Sequence, residues 1–146
     1  MNIRKFENQD NEQVITLYLK LFKDYAEEEA RKDFQKSVSS PKHQIFVSES
    51  NDGVIGFAMG SIRSDYVEGC TTSPVGYLEA IFVQENHRKG GIAKLLFQAV
   101  ERWAKENQCT EMGSDTWTWN KGAQAFHERI GFEEDDILIH YIKKID

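Results

Sequence analysis

The sequence predicts a single mixed α/β domain spanning residues 1–146. Three observations carry that prediction. Amphipathic helical stretches fall between short apolar strands from one end of the chain to the other. No Pro/Gly/Ser-rich linker, internal repeat or low-complexity segment divides it. Its 146 residues suffice for one proper core and are few for two.

The elements follow in order. "IRKF" (Ile3 to Phe6) reads as a short opening strand. Val14, Ile15, Tyr18, Leu21, Phe22 and Tyr25 then recur at helical spacing, with Asp10 as N-cap and Gln13 three residues later. A charged helix from Glu27 to Ser37 ends before Ser40-Pro41. "QIFVSES" and "VIGFAMGSIRSDY" are strands joined by "NDG", a hairpin turn signal. "DYVEGCTTSP" is a loop, and "VGYLEAIFV" is apolar enough for a central strand covered on both faces. Ile92, Leu95, Leu96, Ala99, Val100 and Trp103 form the best-defined helical stripe in the chain. "CTEMGSDT" reads as a further strand and "WTWN" as a loop. Lys121 to Ile130 forms a helix that Gly131 ends, and "ILIHYIKK" reads as the closing strand.

Composition excludes several classes of function. No apolar run approaches the ~18 residues that a membrane span needs. "MNIRKFENQD" has no signal-peptide character, which leaves the cytoplasm as the expected compartment. A net charge of −6 repels nucleic acid and suits a cationic ligand. The four histidines show no ligand spacing, so no metal is expected. Cys70 and Cys109 lie outside any C-x-x-C pattern and read as free thiols.

The stretch "NHRKGGIAKLL" places two cations and two glycines at the mouth of a helix. A helix start presents backbone N–H groups without helical acceptors and the positive end of its dipole, so an anion is the natural ligand. The glycines permit a tight turn and a close approach to the backbone. G-x-G-x-x-G and the P-loop are both absent. Arg88-Lys89-Gly90-Gly91-Ile92-Ala93 instead resembles the R-x-x-G-x-A pyrophosphate motif of the GCN5-related N-acetyltransferase (GNAT) superfamily. Its setting matches too, after the strand "YLEAIFV" and at the start of a long amphipathic helix. "NKGAQAFHERIGF" resembles the superfamily's second signature. "SIRSDYVEGC", "SPVGYLEAIFV", "EMGSDT" and "IGFEE" resemble the short aminoglycoside 6′-N-acetyltransferases. The likeness is strongest from Ser61 to Glu134.

The resemblance implies a GNAT fold, a mixed central sheet flanked by helices, with its fourth and fifth strands splayed around the pantetheine arm. It implies that the N–H groups from Arg88 to Ala93 hold the pyrophosphate of acetyl-CoA. Ile81, Phe82 and Val83 at the strand end would flank the arm, Ile81 and Val83 through backbone hydrogen bonds. Asn120 matches the family's asparagine that contacts the arm.

Glu79 interrupts the most apolar strand, where an unpaired buried charge is costly; the resemblance makes it a catalytic or substrate-binding carboxylate. Asp115 reads as a turn former or N-cap, and by resemblance as a ligand of the substrate amine. Tyr66 is a loop aromatic in the segment that lines the family's substrate cleft. Phe22 stands where the family often has Trp. Asp136, within the run Glu133–Asp136, is either part of a solvated charged face or an acidic contact for a polycation; both readings stay open. His127 occupies the position where many relatives have a tyrosine that protonates the leaving thiolate, and Tyr141 is the alternative donor.

The function implied is direct transfer of acetyl from acetyl-CoA to the 6′-amine of aminoglycosides, conferring resistance. Glu79, through water, is the proton path from the amine, and the Val83 N–H faces the oxyanion. The alternatives are the same chemistry on a polyamine, diamine or protein N-terminus, or a silent acetyl-CoA-binding sensor. A homodimer is expected because relatives commonly pair.

Overall fold

Phe57 and Met59 alternate with Gly56, Ala58 and Gly60 along one strand, and a strand's period of two sends the two sets to opposite faces. The large set meets a helical layer. On the small side a Cβ built on Gly60 would lie 2.5 Å from a Val100 methyl, so the helix there seats directly on the strand backbone. The computed structural model describes residues Met1–Asp146 as two units, Met1–Ser114 and Asp115–Asp146.

The first unit holds a five-stranded sheet in the order β1 (Asn2–Lys5), β2 (His43–Ser50), β3 (Gly53–Arg63), β4 (Val75–Val83), β5 (Met112–Ser114). The first four strands pair antiparallel and β5 runs parallel to β4. β2 and β3 meet at the expected "NDG" turn, with Gly53 at φ +90. Val14, Ile15, Leu17 and Tyr18 of α1 (Asn11–Leu21) and Ala30 and Phe34 of α2 (Glu27–Ser39) pack on Ile45, Val47, Phe57, Met59 and Ala80. Each such Val, Leu, Ile, Phe or Met side chain contributes about 1.5–3 kcal/mol through burial. The other face of the sheet takes α3 (Ile92–Glu106), which crosses β2, β3 and β4. Within α3, Leu96, Phe97 and Val100 are buried. Leu95, expected in the buried stripe, is 41 % exposed, because the seat on β3 turns the Leu96/Val100 edge inward.

Two irregularities prepare the site. The β3–β4 register slips between Met59↔Ala80 and Gly60↔Leu78, leaving Glu79 as an extra residue, a β-bulge. The β4–β5 pairing ends at Leu78↔Ser114, so Glu79–Val83 continue beyond β5. β5 is accordingly shorter than "CTEMGSDT" suggested.

The capping expectation at the first helix is corrected. The Asp10 side chain makes no cap bond to α1. Its carboxylate accepts from both Arg4 terminal nitrogens, at 2.8 and 2.9 Å, and from the Glu7 N–H at 2.8 Å. A guanidinium satisfies a buried carboxylate more fully than one helical N–H does. Gln13, read as a capping-box partner, spans to the hairpin instead, where its Oε1 accepts from Val54 N–H at 2.9 Å.

In the second unit, α4 (Lys121–Arg129) is capped by Asn120, whose Oδ1 accepts from Ala123 N–H at 3.1 Å. Gly131 follows it at φ +103, the left-handed residue expected there. The expected closing strand "ILIHYIKK" forms no ladder, and Ile137, Ile139, Tyr141 and Ile142 are exposed. A strand exists only through a neighbour's hydrogen bonds, which alternation in a sequence cannot supply.

The Arg4 hydrogen bonds hold the Asp10 carboxyl below its ordinary value, outweighing the opposing effect of burial. A depressed folded-state pKa gives stability that is present above the unfolded value, about 3.9, and lost as pH falls through the folded one. Asp10→Asn is therefore expected to cost about 3 kcal/mol at neutral pH. Urea denaturation as a function of pH should show that gap narrowing once the pH drops below about 4. A gap independent of pH would mean that the pair contributes nothing through ionisation.

Candidate active site

A bulge re-aims the side chain it carries, which is how a carboxylate comes to stand in the apolar run "GYLEAIFV". Glu79 is half-buried and fully engaged. Ser61 Oγ donates to its Oε2 at 2.5 Å. Arg63 Nη2 donates to both oxygens at 2.8 Å, and Arg63 Nε to Oε2 at 3.2 Å. The guanidinium also lies over the Tyr77 ring, its Cζ 3.4 Å from the centroid. Beneath this group, burial pushes the Tyr18 phenol up to about 12, and the charges of Asp33 and Glu79 add to the effect. Tyr18 remains a neutral phenol at any physiological pH.

Sequence reasoning does not single out Ser61, Arg63 or Tyr77. Their signal was the pair of i, i+2 polar positions in "SIR", which share a face of β3 beside β4, a same-face pattern that becomes readable only with the register in hand. Beside them an open depression of about 520 Å³ is lined by Lys42, Ile62, Arg63, Ser64, Asp65 and Tyr66. Tyr66 stands 77 % exposed over it. Phe22 closes α1 with its ring 4.5 Å from Tyr18 and 5.6 Å from Tyr25, partly buried against the core.

Along the rest of β4 the backbone decides. Gln84 N–H donates to Ile55 of β3 at 2.8 Å. Alternation then turns the N–H and C=O of Ile81 and Val83 away from β3, toward the side that β5 has left. The Val83 carbonyl there accepts from Arg88 Nε at 2.8 Å, and the Arg88 guanidinium lies over Phe82. A cavity of about 600 Å³ adjoins, lined by Lys20, Phe82, Gln84, Glu85, Asn86 and Arg88.

The turn itself is built for close approach. Lys89 and Gly91 take φ +71 and +80, and a Cβ on Gly91 would meet nothing within 4 Å. Gly91 is the N-cap of α3, no side chain caps that end, and its first turn holds no acidic residue. The first helical bond runs from Leu95 N–H to Gly91 C=O, so the N–H groups of Ile92 and Ala93 have no acceptor within the helix. The Arg88 N–H, expected among the phosphate donors, is turned to Glu85 C=O at 3.3 Å. A diphosphate fits the remainder: open donors, adjacent cations and space where side chains would be.

The second unit carries Asp115, Asn120, His127, Asp136 and Tyr141. Asp115 is exposed and caps no helix, that role being taken by Asn120. His127 Nδ1 lies 2.6 Å from Ala123 C=O, which can only accept, so the Nδ1 carries the proton. The His127 ring stands 5.2 Å from Phe132. Asp136 is exposed and Tyr141 is 86 % exposed. Cys70 and Cys109 are thiols outside any disulfide, as expected; burial pushes the Cys109 thiol up, away from thiolate character.

A model of the acetyltransferase (GNAT) family matches residues 11–132. The chain belongs to this family. It is 46% identical over 99 residues to the aminoglycoside N(6′)-acetyltransferase type 1 of Salmonella typhimurium, covering 68% of each chain. Against the Acinetobacter baumannii protein of the same name it is 33% identical over 145 residues, 99% of each. The structure of AAC(6′)-Iy in complex with the bisubstrate analogue CoA-S-monomethyl-acetylneamine superposes with a TM-score of 0.91 at 36% identity, covering 99% of this chain and 98% of that one. The fold is thus the GNAT fold, with the β4–β5 parting that the sequence resemblance implied.

Proposed function

We propose that the chain is a single-domain aminoglycoside 6′-N-acetyltransferase that uses acetyl-CoA and confers resistance to its substrates. The observation that carries this reading is the coincidence, on one strand, of a bulged carboxylate and an unpaired backbone edge that leads to an uncapped, glycine-opened helix start. Acetyl-CoA supplies the thioester that a neutral amine attacks. In this reading the N–H groups from Lys89 to Ala93 hold the diphosphate and the edge of Ile81, Phe82 and Val83 orients the arm. The Val83 N–H faces the oxygen that gains charge. Glu79 anchors the cationic sugar, with Tyr66, Phe22, Asp115 and Asp136 as further substrate contacts. Asn120 contacts the arm through its amide NH₂, since its Oδ1 serves α4. His127 and Tyr141 are the two candidates for returning a proton to the thiolate.

No helix is long and apolar enough to cross a membrane, and a cytoplasmic enzyme accords with that. The exposed apolar side chains Ile137, Leu138, Ile139, Tyr141, Ile142 and Ile145 support a homodimer. Sedimentation velocity should give twice the chain mass, and Ile142→Asp should shift the population toward monomer. A monomeric parent protein at micromolar concentration would overturn the pairing.

Acetyl-CoA turnover with neamine, spermidine and an N-terminal peptide tests the substrate class. Neamine is expected to be used with the highest kcat/KM. Preference for spermidine or peptide would move the chain to those substrates, and no turnover with any of them would make it a binding module.

Gly91→Asp tests the turn. Aspartate tolerates the left-handed region better than most residues, and its Cβ enters open space, so the fold should hold. Its charge, however, stands where an anion must bind. The KM for acetyl-CoA is expected to rise more than about ten-fold with little change in Tm. An unchanged KM would remove the diphosphate from this turn.

A further inference from the structure

A carboxylate offers about four acceptor sites. Glu79 accepts four hydrogen bonds, three at Oε2 from Ser61 and Arg63 and one at Oε1 from Arg63, so the internal guanidinium bridges both oxygens. An ammonium arriving at this carboxylate finds it already occupied by an internal cation. The two occupants differ in how firmly they are held. Ser61 is buried, at 2 % exposure, and its strand position fixes it. The Arg63 side chain is 41 % exposed and lies on the rim of the depression beside Lys42, Asp65 and Tyr66. It can leave into that space without disturbing the core.

We infer that Arg63 is a specificity-determining residue whose guanidinium occupies, on Glu79, the place of the substrate's ammonium and is displaced by it. The inference rests on the reading of Glu79 as the substrate anchor. Displacement exchanges one charge-assisted contact for another, so a monoamine gains little at this point. A polycation makes further ionic contacts from its other ammonium groups and so meets the cost. Arg63 thereby discriminates against singly charged amines, a task that a bare carboxylate would perform poorly. The Tyr77 face holds the guanidinium in its resting position and is retained or lost with it.

A four-way comparison of KM for neamine at saturating acetyl-CoA tests this, using the parent, Arg63→Met, Glu79→Gln and the double variant. Glu79→Gln is expected to raise KM about ten-fold through loss of a charged contact. Arg63→Met is expected to lower it about five-fold, the scale of a partly exposed pair. In the Glu79→Gln background the Arg63 change should confer no gain. An equal gain in both backgrounds would mean a long-range charge effect and would overturn displacement. A KM raised by Arg63→Met, with Glu79→Gln also raising it, would make Arg63 a support for Glu79 and overturn the competition while leaving the anchor intact. A Glu79→Gln protein with the parent KM would remove Glu79 from the site and take both readings with it.

The unsubstituted protein gives a second readout, which stands even where Arg63→Met does not fold. The Arg63 Nε–H donates to Glu79 and has its own NMR signal, assigned by its loss in Arg63→Lys. Titrating neamine into the protein with coenzyme A should shift that signal and speed its exchange with solvent. A signal unmoved at saturating neamine would overturn the displacement.

Discussion

The parting of β4 from β5 after Leu78 is the constraint on which the rest of the first unit depends. A parallel pair that continued to Val83 would bury the backbone edge of Ile81 and Val83 in a ladder and leave nothing to offer a ligand. Because it stops, five residues of β4 lie in the sheet on one side only. The bulge at Glu79 falls at the point where the pairing ends. A bulge re-aims the residue it carries, here a carboxylate in an otherwise apolar strand. The open edge and the charge thus adjoin on one strand.

Two half-buried or buried carboxylates are held by arginine at the sheet, Asp10 by Arg4, which also reaches Glu49, and Glu79 by Arg63, and their burial separates their roles. The Arg4 and Asp10 side chains are 19% and 3% exposed, and Asp10 takes a backbone N–H as well. That pair is sealed at the edge strand and acts on stability alone. The Arg63 and Glu79 side chains are 41% and 23% exposed, and the arginine borders a depression rather than a helix. Desolvation makes the first pair costly to break, whereas water can solvate either partner of the second when it separates. The same chemistry is a fastening in one place and an exchangeable contact in the other.

How much of this was legible in the sequence depended on whether the cause was local. The stripe that forms α3, the "NDG" hairpin and the glycines before Ile92 are local patterns, and they folded as read except for Leu95, which falls outside the buried edge. Glu79 stood out as a charge in an apolar strand. What holds it did not, because Ser61 and Arg63 become its partners only through a register that slips by one residue. Asp10 had the right type and place for a cap, yet Arg4, on β1, offered it a stronger partner. "ILIHYIKK" has the composition of a strand and no neighbour to pair with; composition describes only one side of a ladder.

The small residues of β3 connect the sheet to the turn. Gly56 and Gly60 let α3 lie against the strand backbone, with Leu96 and Val100 filling the space that side chains would have taken. A helix seated so closely cannot slide without collision, so its N-terminus is fixed relative to β4. Arg88 completes the connection from the other end, holding the Val83 carbonyl while its neighbours turn through the left-handed region. The uncapped helix start and the open strand edge are therefore held at a set separation by packing on one side and a hydrogen bond on the other. In the proposed reading a ligand with an anionic end and an amide-bearing arm would meet both, and holding them at a set separation beforehand would lower the cost of binding it.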